Sequence, residues 1–295
     1  MTPAALGLVL TAAVFHAIWN LAAKAKTGDS FVFIWWYVLL SAVFTVPLGI
    51  WVMAVQGIGF SATLLWAPAV SAAIHLGYNM VLQTGYERAP LSVVYPTARG
   101  TGPVLTMLVA VLFLGERPGW VAAAGALVIV LGIVFTASGP RPVPAPGAQD
   151  GDASPLLSGL GWGAATGLFI AGYTLWDDHS VTALALAPIP YFAMSSVYQT
   201  MIATAQLGQA RRAVLGRTLR ENVWPILAIA AFSPAAYVLV LIAMQTQPVS
   251  LVAPLRETSI VIGSLLGWLI FKEANPGRRL LGAAVVLGGV ALISG

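Results

Sequence analysis

Cysteine is absent from this sequence, which removes disulfide staples, thiolate nucleophiles and cysteine-held metals from the chemistry open to it. Charge is scarce: Asp, Glu, Lys and Arg together make up 8% of the 295 residues, and His occurs three times. A soluble domain draws roughly a quarter of its residues from the charged set, so this chain cannot clothe a globular surface. Enzyme signatures are missing as well. No HExxH, GxSxG, P-loop or strand-to-helix GxGxxG occurs, which leaves catalysis without visible machinery and predicts a non-enzyme without cofactors. His16 and His75 have no neighbours that would complete a ligand set, so no metal is expected.

What fills the sequence is apolar. Hydrophobic residues make up 59% and the mean hydropathy is +0.88, more than a soluble core can hide, so the expected class is an all-α integral membrane protein. A helix needs roughly 20 apolar residues to span the hydrocarbon. Ten such stretches are predicted, at 3–23, 31–55, 61–86, 90–114, 118–138, 156–176, 182–207, 222–244, 248–271 and 276–294. The first has no basic residue before it and no small-residue cleavage site after it, which predicts a permanent helix. The net charge of +4 does not point to nucleic acid, because Lys and Arg sit in short gaps between apolar runs, where they orient the chain. The expected partners are the lipid bilayer and a small-molecule substrate, the expected location a cell (inner) membrane crossed many times. Nothing in the sequence sets an oligomeric state.

One connector stands out. "SGPRPVPAPGAQDGDASP" (138–155) cannot bury itself and reads as a flexible linker dividing five predicted helices from five. The halves resemble each other. "APLSVVYPTARGT" (89–101) aligns with "QPVSLVAPLRETS" (247–259), pairing Pro90 with Pro248, Ser92 with Ser250 and Pro96 with Pro254 at one constant offset. "FLGERPGWVAAAGALVIVLG" (113–132) matches "FKEANPGRRLLGAAVVLGG" (271–289), and "HAIWN" (16–20) answers "YTLWD" (173–177). The expectation is a first repeat over 1–138, a linker over 139–155 and a second repeat over 156–295. With an odd number of spans in each half, the second copy is inverted, which puts a transporter's site at the repeat interface near the bilayer midplane. Every loop Lys or Arg except Arg117 follows an odd-numbered predicted helix. By the positive-inside rule those loops are cytoplasmic and both termini outside.

Against this background three charges are out of place. Arg99, Arg256 and Glu257 fall about nine or ten residues into predicted helices of about 24, near the bilayer centre at 1.5 Å per residue. An ionisable group there costs about 2.5 to 3.5 kcal/mol and is normally paired, turned inward and functional. Arg99 and Glu257 are equivalent positions of the two repeats, and are expected to face one central cavity with Arg256 beside them. Polar and aromatic groups at i, i+3, i+4 spacing fall at matching depth: His16, Trp19 and Asn20; His75, Tyr78 and Asn79; Tyr173, Trp176 and Asp177. Tyr95 lies one turn before Arg99, and Tyr237 offers a further hydroxyl. Rings supply contact area while a few polar groups fix orientation, which suits a small polar substrate. Glu257 and Asp177 are the candidates for proton coupling or ion pairing.

Plainer readings stand beside these. Arg99 and Glu257 also fit a structural ion pair, Trp19 and Trp176 fit packing or interfacial anchoring, and Asp177 with Asp178 fits a solvated helix cap. Gly159, Gly163 and Gly167 form a small-xxx-small stripe expected to pack helices closely. Pro96, Pro188, Pro190 and Pro254 break helix hydrogen bonds and fit hinges or static kinks.

Two five-helix repeats, each closing in a glycine-rich helix after "FLGE" or "FKE", resemble the EamA-type permeases of the drug/metabolite transporter superfamily over essentially the whole chain apart from the linker. More narrowly, "HAIWN", "VYPTARG" and "LRETS" resemble a bacterial subgroup of these permeases, some associated with phosphonate utilisation. The resemblance implies ten helices, a central cavity and secondary transport, usually export, of amino acids, other small metabolites or drugs. It also implies cytoplasmic termini, the reverse of the charge count. Two arginines against one glutamate favour an amino acid, carboxylate or phosphonate, moved by alternating access with proton coupling. The alternatives are an uncoupled facilitator or exchanger, a multidrug exporter, or a non-transporting scaffold or sensor.

Overall fold

The computed structural model describes residues 1–89, 91–137, 154–271 and 276–294. Most of the linker (139–153), together with Pro90, lies outside the described residues. The described elements are all α-helices: α1 Pro3–Lys24, α2 Ser30–Gln56, α3 Ala62–Arg88, α4 Leu91–Leu112, α5 Trp120–Ala137, α6 Ser154–Thr182, α7 Pro188–Ala205, α8 Gln209–Glu221, α9 Val223–Met244, α10 Val249–Arg256, α11 Thr258–Phe271 and α12 Pro276–Ser294. Among the described residues, the spans of α1, α2, α3 and α9 are long and apolar enough to cross a membrane, and α5 and α12 contain shorter apolar stretches. Trp120, Phe113 and Trp224 stand almost fully exposed, the outward apolar face of a chain whose solvent is lipid.

Three elements differ from the sequence expectation. The predicted helix 248–271 is two helices, α10 and α11, meeting at Glu257. Pro254 has no N–H to give to the Ser250 carbonyl, and the chain tightens into a turn in which Glu257 N donates to Pro254 O at 3.1 Å. The predicted boundary at 176/182 moves: α6 runs on to Thr182, and α7 starts only at Pro188. Proline at the first helical position leaves no bond unmade, so Pro188 and Pro190 begin a helix and do not kink one. Finally, the basic stretch expected as a loop contains α8.

Contacts divide the chain into two compact units, each drawing on sequence from both sides of the linker. The first comprises residues 1–3, 74–175 and 247–295. In it α5 lies against α12 so closely that a Cβ on Gly125 would come 2.7 Å from the Gly289 carbonyl oxygen, and one on Gly289 equally close to that of Gly125. Along α6 the glycine stripe meets α4, where a Cβ on Gly163 would fall 2.5 Å from Thr97 Cβ and one on Gly167 2.6 Å from Thr101 Cβ. Backbones this close gain dispersion contacts that lipid cannot match.

The second unit comprises residues 4–73 and 176–246. Asp29 caps α2, accepting from Val32 N at 2.9 Å, and Gly57 closes that helix in the left-handed region at φ 66°. Phe33, Ile226 and Ile229 form a core between α2 and α9, with Trp19, Trp36 and Leu219 packed around it.

Candidate functional site

The first unit gathers the charges. Glu257 is 1% exposed and Arg256 5%. One carboxylate oxygen, Oε2, accepts from Arg99 Nη1 at 3.1 Å. The other, Oε1, accepts from Arg256 Nε at 3.2 Å and Nη2 at 3.0 Å. Two guanidinium groups therefore share one carboxylate.

The break in the helix explains how the charges are borne. Arg256 ends α10 and Glu257 immediately precedes α11. Cations are favoured at a helix C-terminus and anions at an N-terminus, so each charge meets a complementary helix end. The far end of α10 is fixed too: Glu116 Oε1 accepts from Val249 N at 2.8 Å and Oε2 from Ser250 N at 3.0 Å. A carboxylate there satisfies two orphan donors and complements the dipole.

Aromatic rings surround the arginines. The Arg99 guanidinium lies 5.5 Å from the Tyr95 ring centre and that of Arg256 lies 6.0 Å from Tyr173. Tyr173 stacks on His75 at 4.1 Å and meets Tyr78 edge-on at 5.8 Å. Seven of the expected residues thus form one group, drawn from α3, α4, α6 and the α10–α11 break. The side chain of Asn79, half-buried in the same unit, makes no hydrogen bond among the described residues.

A second polar group lies in the second unit. Asp177 is fully buried; its Oδ1 accepts from the Tyr191 hydroxyl at 2.6 Å and its Oδ2 from the Tyr237 hydroxyl. The expectation of a solvated cap fails here, because α6 continues past Asp177 and Asp178 and both are buried. Nearby, Trp176 meets Trp66 with the rings tilted at 53° and gives its indole N–H to Ala67 O at 2.9 Å. In α1, Asn20 donates to His16 O at 2.7 Å and His16 meets Trp19 edge-on.

Sequence reasoning missed Tyr191 and the role of Glu116. Tyr191 follows two prolines that read as helix breakers, and a tyrosine in an apolar run carries no charge to draw notice. Glu116 stood out only as part of "FLGE".

Comparison with known proteins supplies the family. The EamA-like transporter family matches residues 3–138 and 157–295. The chain belongs to that family. As an EamA-like transporter it is a multi-pass membrane protein of the drug/metabolite transporter group. Over 78 residues it is 33% identical to the "Probable 4-amino-4-deoxy-L-arabinose-phosphoundecaprenol flippase subunit ArnE" of Salmonella paratyphi B, covering 26% of this chain and 69% of the relative. The protein of that name from Salmonella typhimurium matches equally, and that of Salmonella enteritidis is 32% identical over the same length. A solved structure described as "Crystal structure of protein" superposes with a TM-score of 0.75 at 19% identity, covering 99% of this EamA-like chain and 96% of the other, a likeness of fold.

Proposed function

We propose that this EamA-like transporter is a secondary active carrier, working outward across the cell (inner) membrane, for a small polar metabolite bearing a carboxylate, phosphonate or phosphate group. The observation that carries the reading is the pair of guanidinium groups on one buried carboxylate. Arg99 spends one nitrogen on Glu257, and among the described residues its Nε and Nη2 have no hydrogen-bond partner. Its side chain keeps 11% of its exposure where Glu257 keeps 1%. A guanidinium with an unused donor edge presents two parallel N–H groups, the geometry that carboxylate and phosphate oxygens accept in bidentate fashion. Tyr95, Tyr173, His75 and Tyr78 supply the rings that would hold the remainder of the ligand.

Two further facts support it. The named cargo of the flippase-subunit relatives carries a phosphate. Those relatives are well under half the length of this chain, the size expected of a single repeat, which supports a duplication into repeats 1–138 and 156–295; ten spans and alternating access are what such an inverted duplication would provide.

For the coupling proton, Asp177 is the better candidate. Glu257 has its charge balanced by two arginines, whereas both oxygens of Asp177 meet only neutral hydroxyls. An ionisable side chain buried inside a spanning helix is the kind of group that marks ion pathways and coupling sites in transporters. Glu257 then serves as the ion-pair partner that positions Arg99 and Arg256.

The test is competition in proteoliposomes. With an inward pH gradient, saturable counterflow of amino acids, small carboxylates or phosphonates is expected, with no competition from organic cations. Competition by cations alone would replace this reading with multidrug export.

A further inference from the structure

The helix that the hydropathy pattern conceals, α8, has two faces of different chemistry. Its inner face is docked. Leu219 packs on the Phe33, Ile226 and Ile229 core, the Trp36 indole N–H donates to Leu215 O at 3.0 Å, and Thr218 is buried. Asn222, at its end, donates to Thr218 O at 2.9 Å and accepts from Thr27 N at 2.8 Å. The helix is therefore part of the second unit's framework.

Its outer face is a row of arginine. Arg212, Arg217 and Arg220 are exposed, and the only acid in the helix is Glu221, which accepts from Arg217 Nε at 2.7 Å. Arg212 gives its Nε to Leu207 O at 3.0 Å, and its two terminal nitrogens have no hydrogen-bond partner among the described residues. Arg220 makes no hydrogen bond or ion pair among the described residues. Arg211 belongs to the rim, with its guanidinium 4.3 Å from the Phe31 ring centre and 3.9 Å from Asp29.

The location of this row selects its partner. Trp35 and Trp36 stand near the start of the apolar helix α2, and Trp224, 80% exposed, near the start of the apolar helix α9. Tryptophan at the ends of spanning helices marks the level of the lipid headgroups. A basic, amphipathic helix at that level, its apolar side already buried, faces the headgroup layer with its charged side.

We propose that the outer face of α8 is a binding site for anionic phospholipid headgroups, with Arg212 and Arg220 holding the lipid phosphate. Guanidinium forks match phosphate oxygens, and an anionic leaflet attracts a basic segment lying against it. This site is independent of the transport reading, since it shares no residue with the Arg99 group or with Asp177.

The test uses the full chain in detergent, with thermal unfolding followed after adding phosphatidylglycerol, phosphatidylcholine or inorganic phosphate. Phosphatidylglycerol should raise the midpoint by several degrees more than phosphatidylcholine, and the excess should shrink with added salt. Arg212→Gln with Arg220→Gln should remove most of the excess, and Arg212→Lys with Arg220→Lys should restore part of it. Both positions are exposed, so the variants are expected to fold. Equal shifts with the two lipids, an unchanged excess in the double glutamine variant, or a full shift from inorganic phosphate alone would each overturn the proposal. A shift reproduced by an acidic peptide in place of the lipid would also overturn it, in favour of a protein partner.

Discussion

Glu257 shows at the scale of one residue how a membrane chain keeps charges it cannot expose. A lone arginine in the hydrocarbon is expensive, but here the carboxylate touches two of them, and Arg256 and Glu257 each sit at a helix end of opposite sign. Glu257→Gln would leave Arg99 and Arg256 buried against a neutral amide. Removing one partner of a buried ion pair costs about 3 to 5 kcal/mol, so the variant should unfold at a clearly lower temperature in detergent. An unchanged midpoint would mean that water already screens the group. Asp177→Asn should behave differently: the amide fits the same two tyrosines, so folding should persist while uptake ceases to respond to a pH gradient. Pairing of the residues was legible in part. The aligned Pro and Ser frame around 89–101 and 247–259 identifies Arg99 and Glu257 as equivalent positions, but equivalence in sequence carries no distance, and the 3.1 Å contact comes from the fold. The surroundings of Asp177 were not legible, because Tyr191 lies 14 residues further on, beyond a turn and two prolines.

Among the helices, the break between α10 and α11 is the one on which the site depends. No periodicity signals a single turn residue between two apolar runs, so the sequence reads as one continuous helix. The structure resolves it into two, with Glu116 fixing one end and Glu257 the other. Glu116→Ala would strip two backbone N–H groups of their acceptor, at a cost of about 0.5 to 2 kcal/mol for a cap. Reduced substrate affinity together with a modest loss of stability is expected, since α10 carries Arg256. Affinity at the wild-type value would show that α10 is held by its packing alone. Helix α8 was hidden for another reason. A search for apolar runs long enough to span passes over a 13-residue helix whose apolar side is a narrow stripe, and four arginines then read as a loop. At the α5–α12 contact the requirement is space: Gly289→Val would drive side-chain atoms onto the Gly125 carbonyl, and loss of folded protein on purification is expected.

On the scale of the whole molecule, composition fixes the class, and the family match covers the chain on both sides of the linker. The compact units do not follow those two halves, because each contains helices from both. Orientation remains a matter of charge. If α8 rests on an anionic cytoplasmic leaflet, as its arginines indicate, then a cysteine placed at exposed Ala213 should react with an impermeant maleimide only after the cytoplasmic side is opened. Labelling of intact cells would reverse the topology argued from the loops. In the proposed carrier Arg99 receives the anionic group of the substrate. The most direct measurement is uptake of a substrate identified by counterflow into proteoliposomes holding wild type, Arg99→Lys or Arg99→Gln, each matched for folded protein. Saturable uptake in wild type, weakened in Arg99→Lys by loss of the bidentate fork and abolished in Arg99→Gln, is the predicted result. Uptake by Arg99→Gln at the wild-type rate and affinity would contradict the account and leave the three charges a purely structural cluster.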